Sequence, residues 1–519
     1  MLYPHHFSIH RSRRTTPRAS GTPGTAQKKT FLIALLALAA CAAPDSTPET
    51  AQNEPAAGAR PPNIVFIMAD DLGWGDIEPY GQEKIRTPSL ARMAREGMRF
   101  TQFYAGSTVC APSRSVLMTG LHTGHTPVRG NREVLPIGQT PLPADAVTMA
   151  ELLDRAGYAT GIFGKWGLGA PDSEGLPTRQ GFDEFFGYLD QRRAHFYYPE
   201  FLWRNEERVP LPNTTRPAEN TEGAGWAITK VEYSHDRIAN EALAFIDRHQ
   251  AEPFFLYVPF TIPHAEVDAP ADAFAPYLDA NGESIFPETA FPGARYGPQP
   301  MPHAAYAAMV SRMDRDVGRI LDRLRELGID DNTIVFFTSD NGPSVEGGSD
   351  PEFFESSGPF RGLKRDLYEG GIRVPMLAWG PGVVPTGSVS DHVWAMWDVL
   401  PTVAELTDQA PPVGIDGLSM AAVLTGRGTA PSHDYLYWEF YERGSAQAVR
   451  LGDWKGVRKP MMSGPIELYD LVSDPDESDD LAARNPDIVE RLRAIMADAH
   501  TPDTLWQPPA APAASQAGL

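Results

Sequence analysis

The sequence predicts an α/β fold: a largely parallel, mixed sheet sandwiched by helices, then a smaller C-terminal α+β subdomain carrying a short antiparallel sheet. Three observations carry this. Apolar runs of strand length, such as 63–69 (NIVFIMA) and 333–338 (TIVFFT), show no polar alternation and suit strands buried on both faces. Segments of helical periodicity alternate with them. After residue 425 the pattern changes to short strand-like stretches with tight connections.

The chain begins with a basic stretch, Arg11, Arg13, Arg14, Arg18, Lys28 and Lys29, and no acid before the apolar run 31–40 (FLIALLALAA). That run is short of the ~20 residues a spanning helix needs, and the arrangement reads as a secretory signal. Its end, Leu38-Ala39-Ala40-Cys41, resembles a bacterial lipobox. This implies lipidation at Cys41 and a protein exported to the cell envelope, held at the outer membrane or periplasmic face by a lipid anchor only. The alternative is a plain signal peptide cut at a nearby alanine. On this reading 1–40 is the lipoprotein signal peptide and 41–60, rich in Ala, Pro and acids, a disordered tether.

The α/β domain spans 61–425. After the strand 63–69, Thr87-Pro88-Ser89 opens a helix closed by Gly97. Thr148 and Glu151 form a capping box for a helix closed by Gly157, and 158–163 is the next strand. Residues 235–249 read as helix, 253–260 as strand, 303–327 as a long amphipathic helix stopped by Gly328, and 333–338 as strand. In the subdomain, 426–505, the strands are 435–440, 446–451 and 454–458, with a helix over 486–500. A disordered tail, 506–519, ends the chain.

A length of 519 residues suits two domains, and 42% hydrophobic residues suffice for a sizeable core. The net charge is −22, and loss of residues 1–40 with their six cations would make it −28. Such a chain repels phosphates over most of its surface, which excludes nucleic acid as a partner. Any anion site must be a local cluster of cations or contain a metal. Only Cys41 and Cys110 exist, and both read as sites of chemistry rather than as a disulfide.

Polar residues gather at predicted strand ends: Asp70-Asp71, Lys165, His264 and Asp340-Asn341. Alone, each reads as a cap or turn; together they mark the sheet edge where open α/β sheets bind ligands. Asp70, Asp71, Asp340 and Asn341 offer only hard oxygen ligands, a set for Ca2+ or Mg2+ rather than zinc.

The stretch 109–120 (VCAPSRSVLMTG) contains C-x-P-S-R-x-x-x-x-T-G, from Cys110 to Gly120. It resembles the signature of the type I, formylglycine-dependent sulfatases of the alkaline phosphatase superfamily. The likeness extends over most of 62–483, through GKWGLG around Lys165 and the stretch 359–375 around Lys364. It implies an alkaline-phosphatase-like fold and a sulfuric ester hydrolase acting on a sulfated carbohydrate or aryl sulfate. A maturation enzyme would convert Cys110 to 3-oxoalanine (formylglycine). One divalent cation, usually calcium, would lie between Asp70, Asp71, Asp340, Asn341, the modified Cys110 and a sulfate oxygen. The hydrated aldehyde carries two hydroxyls: one attacks sulfur, and the other, losing its proton, expels sulfate. Arg114 would fix the hydrate, Lys165 and Lys364 would contact sulfate, and His264 would serve as general acid.

One position departs from the pattern. Many sulfatases read GKWHLG, with the histidine as base for the second hydroxyl, whereas this chain has Gly167. His122, His125 and His195 are the substitutes to consider, and His195 is read as a substrate-binding residue. Tyr197, Tyr198, Trp203, Trp438 and Glu439 could line a sugar site or belong to the core. The alternatives are a phosphate or phosphonate ester hydrolase of the same superfamily, or an inactive lipoprotein that binds sulfated glycan. The sequence leaves the oligomeric state open.

Overall fold

The computed structural model describes residues 60–218 and 221–508. The predicted signal, Cys41 and all of the tether but Arg60 lie outside the described residues, as do 509–519.

Asn63–Asp70 runs through the middle of a ten-stranded sheet, parallel to Thr333–Ser339 on one side and Phe254–Pro263 on the other. Ala159–Lys165 and Glu184–Tyr188 extend the parallel centre. Antiparallel pairings follow on either side: Met376–Trp379 and then Met98–Phe100, with Ser388–Ser390 parallel to the latter at one edge, and Phe201–Arg204 and then Glu207–Pro210 at the other. Side chains of a strand alternate between faces. Ile64, Phe66 and Met68 enter one core while Val65, Ile67 and Ala69 enter the other, so every position is buried and the run shows no polar alternation.

Helices pack on both faces. Pro88–Glu96, Ser234–His249 and Pro302–Glu326 contribute Leu90, Met93, Ile238, Phe245 and Met309 to one core. Cys110–Thr119, Met149–Arg155 and Val399–Leu406 supply Val116, Leu153 and Val403 to the other. The capping box forms: the Glu151 N–H donates to Thr148 Oγ1 at 3.1 Å and the Thr148 N–H to Glu151 Oε2 at 3.3 Å.

Two strands reach further than their apolar runs. Ala159–Lys165 continues its parallel pairing to Lys165, opposite Tyr188, and Phe254–Pro263 stops one residue before His264. Lys165 therefore sits on its strand rather than beyond it. Among the described residues no helix is long and apolar enough to cross a membrane.

Four antiparallel strands, Leu436–Phe440, Ala446–Leu451, Trp454–Arg458 and Ile466–Asp470, form the C-terminal sheet. The last of them escapes the sequence reading. Helix Pro486–Asp498 covers one face through Leu492 and Met496, and Trp438, Ala448 and Val457 on the other face join the main core. Trp506, placed by the sequence at the start of the tail, is instead buried, its indole N–H donating to Pro127 O at 2.7 Å.

A buried charge triad joins this sheet to the main domain. Lys455 Nζ lies 2.8 Å from Glu369 and 3.1 Å from Glu477, all three side chains without solvent exposure. Removing the cation strands two buried carboxylates, a loss worth roughly 3–5 kcal/mol. Lys455→Met is therefore expected to lower the unfolding free energy extrapolated from urea denaturation by that amount, whereas Arg493→Ala on the exposed helix face changes it little.

Candidate active site

The site forms at the C-terminal edge of the sheet. Consecutive residues of a strand point to opposite faces, so Asp70 and Asp71 would diverge if the strand simply continued. Asp71 instead adopts φ 65°, a left-handed turn unusual for a residue with a Cβ, and its N–H donates to Asp340 Oδ1 at 3.2 Å. Carboxylate oxygens of both, Cys110 Sγ and a His264 ring nitrogen consequently all lie within 4.8 Å of one another.

Cys110 is the first residue of the helix Cys110–Thr119, whose every side chain is buried. Its Sγ lies 3.4 Å from Asp70 Oδ1 and 3.6 Å from Lys364 Nζ. One turn on, Arg114 donates from Nε and Nη2 to Asp340 Oδ2 (3.2 and 2.7 Å) and from Nη1 to Lys165 O. Between them Ser113 Oγ donates to Asp340 O at 2.5 Å, locking the helix to the strand end. The helix closes at Gly120, whose φ of 69° explains the terminal Gly of the motif.

Lys165 Nζ lies 2.6 Å from Asp70, and Lys364 Nζ 2.7 Å from Asp71. Three carboxylates thus face three cations in a site closed to solvent. Burial works against charge on Asp70, but Lys165, His264 and Arg114 more than offset it and hold its pKa well below the carboxylate range. Burial and the Asp70 charge push Asp340 upward to about 6 despite Arg114. Burial, then the Asp70 charge, pushes the Cys110 thiol far up, so an unmodified thiol stays protonated and is a poor nucleophile here.

The residues fit a hard divalent cation. Asp70, Asp71 and Asp340 supply anionic oxygens, and Asn341 Oδ1 is buried without a hydrogen-bond partner while its Nδ2 donates to Asp71 Oδ1 at 2.8 Å. The sequence assigns His264 only a proton. The structure also brings its Nε2 to 3.5 Å from Asp71, with Nδ1–H donating to Ala265 O.

His195 stacks on His264 with ring centroids 4.3 Å apart, and its Nδ1 lies 3.3 Å from the Tyr296 hydroxyl, which donates to Glu346. Burial, then the charges of His264 and Lys165, hold His195 well below the ordinary imidazole pKa. Glu346, absent from the sequence reading, is kept at about 2, its burial offset by Lys364 and His264. His122 and His125 are not part of the site; they stack on each other and gather around Asp416. At Gly167 a Cβ would lie 2.4 Å from Gln191 Nε2, so the Gln191 amide fills the room a side chain would take. Neither end of that buried amide has a partner. Tyr197, Trp203, Trp438 and Glu439 are buried in the core; Tyr197 donates to Thr261 O and His264 O, supporting the site from behind. Tyr198 is buried too and borders a different cavity, beside Lys230 and Arg312.

Residues 62–409 match the family model described as Sulfatase, and 361–500 match that of the N-sulphoglucosamine sulphohydrolase C-terminal region. The chain belongs to the sulfatase family. It is 36% identical over 428 residues to N-acetylgalactosamine-6-sulfatase of Canis lupus familiaris, covering 77% of this chain and 72% of that one. With arylsulfatase A of Bos taurus it shares 32% over 486 residues, 85% and 87% of the two chains. Among solved structures, Ps i-CgsB superposes with a TM-score of 0.70 at 27% identity, over 85% of this chain and 93% of that chain. A Bacteroides thetaiotaomicron protein of glycosaminoglycan metabolism, BT33336S-sulf, gives 0.69 at 26%, over 85% and 99%. The protein is a type I sulfatase of the alkaline phosphatase superfamily, a sulfuric ester hydrolase, on the α/β fold with the C-terminal antiparallel sheet expected from its sequence.

Carboxylates that crowd one another in a buried site should gain from a divalent cation. For the metal-stripped sulfatase, a free-ion concentration of about 100 Kd is expected to stabilise by about 2.7 kcal/mol. Differential scanning calorimetry would register this as a raised melting temperature, absent in Asp71→Asn.

Proposed function

We propose that this sulfatase desulfates a sulfated carbohydrate, with formylglycine made from Cys110 and with Ca2+ held by Asp70, Asp71, Asp340, Asn341 and the modified residue 110. The observation that carries the reading is the placement of Cys110: first residue of a buried helix, 3.4 Å from Asp70 and 3.6 Å from Lys364. The cation supplies Lewis-acid stabilisation of developing negative charge. Lys165 and Lys364 bind sulfate oxygens, and Arg114, fixed by Asp340, orients residue 110. His264, its Nδ1–H committed to Ala265 O, presents Nε2 to the leaving oxygen. Burial and the Lys364 charge lower its pKa, and only its imidazolium form, which Asp71 and Asp70 favour, carries the Nε2 proton to deliver.

The carbohydrate assignment draws on the relatives. One is an N-acetylgalactosamine-6-sulfatase, and Ps i-CgsB has been crystallised with k-i-k-neocarrahexaose. In the tryptic peptide 100–114 from native-source protein, residue 110 is expected as formylglycine, read by mass spectrometry with carbonyl trapping. A uniform thiol there in an actively desulfating preparation would defeat the modification, and Cys110→Ala should abolish turnover.

The address is proposed with it: export to the bacterial cell envelope and a lipid anchor at Cys41. Cys41→Ala should abolish palmitate labelling and release the protein from the membrane fraction.

A further inference from the structure

A second cavity lies beside the catalytic histidines. It measures about 520 Å3, and its walls include Arg192, Phe196, Arg216, Trp226 and Arg295. Among the described residues that line it, Arg192, Arg216 and Arg295 are the charged ones. Arg192 already pairs with Glu133 at 2.6 Å. Arg216 and Arg295 are exposed and, among the described residues, in no ion pair. They lie instead over aromatic faces, Arg216 5.2 Å from the Trp226 ring and Arg295 5.7 Å from that of Tyr296.

The cavity shares its wall with the active site. Phe196 follows His195, Arg295 precedes Tyr296, and the Tyr296 hydroxyl is 3.3 Å from His195 Nδ1. Phe196, Tyr296 and Ala265, the residue after His264, pack in one apolar cluster against Trp226. The Trp226 indole N–H donates to Arg295 O at 3.4 Å, fixing the two elements to each other. The Arg295 charge also adds to the fields of His264 and Lys165 which, with burial, depress His195.

We propose that this cavity is an anion subsite, in which Arg216 and Arg295 bind a second charged group, sulfate or carboxylate, on the sugar adjoining the ester that is cleaved, and Trp226 offers a stacking face. The inference rests on the carbohydrate reading above and narrows it to polyanionic glycans. A guanidinium matches both anions with paired N–H donors, and a cavity of this size admits one substituted sugar ring.

The test is calorimetric titration of the full-length protein with sucrose octasulfate and with inorganic sulfate. Arg216→Ala/Arg295→Ala should weaken octasulfate binding at least about tenfold. 4-Nitrophenyl sulfate kcat/KM should stay unchanged, because that ester carries no second anion to place in the cavity, and inorganic sulfate should lose only the weaker of its two binding events. Undiminished octasulfate binding by the double variant overturns the subsite, as does an equal loss in Arg493→Ala, which would mark non-specific attraction. An unsulfated uronate disaccharide and a disulfated disaccharide without carboxylate, titrated in parallel, show which anion the arginines prefer. Failure of the native protein to release sulfate from any sulfated glycan while it hydrolyses 4-nitrophenyl sulfate would strike the carbohydrate reading itself. The titration reports on the subsite without turnover, so the two failures are distinguishable.

Discussion

Six charges are buried together at one edge of a parallel sheet, and the surrounding structure is built to keep them paired. An ion moved from water into a protein interior loses several kcal/mol of solvation unless a counter-charge and hydrogen bonds replace it. Asp70 meets Lys165, Asp71 meets Lys364, and Asp340 meets Arg114, each at hydrogen-bond distance. These partners come from five separate segments of chain. The parallel strands bring Asp70, Lys165 and Asp340 to one edge, and the wholly buried helix Cys110–Thr119 carries Arg114 beneath it.

Lys364 depends on the C-terminal sheet. The segment that carries it continues into Glu369, which is held by Lys455, while the Glu369 N–H donates to Glu477. Arg361, three residues before Lys364, donates to Glu477 O at 2.7 Å. The C-terminal sheet thus reaches the active site through a buried charge network. It touches no reacting atom, yet it fixes the segment that brings one of the three cations to the carboxylates. The second family model begins at residue 361, so it takes in this segment together with the sheet that anchors it.

The central strands were legible because burial on both faces leaves an unbroken apolar run, as in 63–69. Strands such as Glu184–Tyr188 and Phe201–Arg204 were not, being too short to show a run or an alternation of their own. The site divides the same way. Cys110, Arg114 and the four oxygen ligands lie in contiguous motifs and could be read directly. Glu346, Tyr296 and Arg295 come from irregular loops with no periodicity to announce them. Gln191 becomes visible only through its contact with Gly167, a relation across two strand ends. His122 and His125 misled by proximity in sequence. The ten-residue helix between them and Cys110 is about 15 Å long and delivers them to its far end, beside Asp416.

The charge balance also sets the order of events that recognition can follow. At −22 the chain repels an anionic substrate once it comes within a Debye length, about 8 Å in physiological salt, and is screened from it farther out. Attraction must then come from cations close at hand, and in the active site each of these already has a carboxylate partner. Lys165 and Lys364 can turn N–H groups toward a sulfate oxygen only as Asp70 and Asp71 gain another positive partner. A divalent cation is such a partner, and the buried Asn341 Oδ1 has no hydrogen bond to give up in meeting one. On the proposed chemistry metal and sulfate would be coupled: a divalent cation would release the lysines, and the anion would compensate them. Arg216 and Arg295, exposed and in no ion pair among the described residues, need no such exchange. They can engage a polyanion first and hold it while the buried site rearranges its pairs.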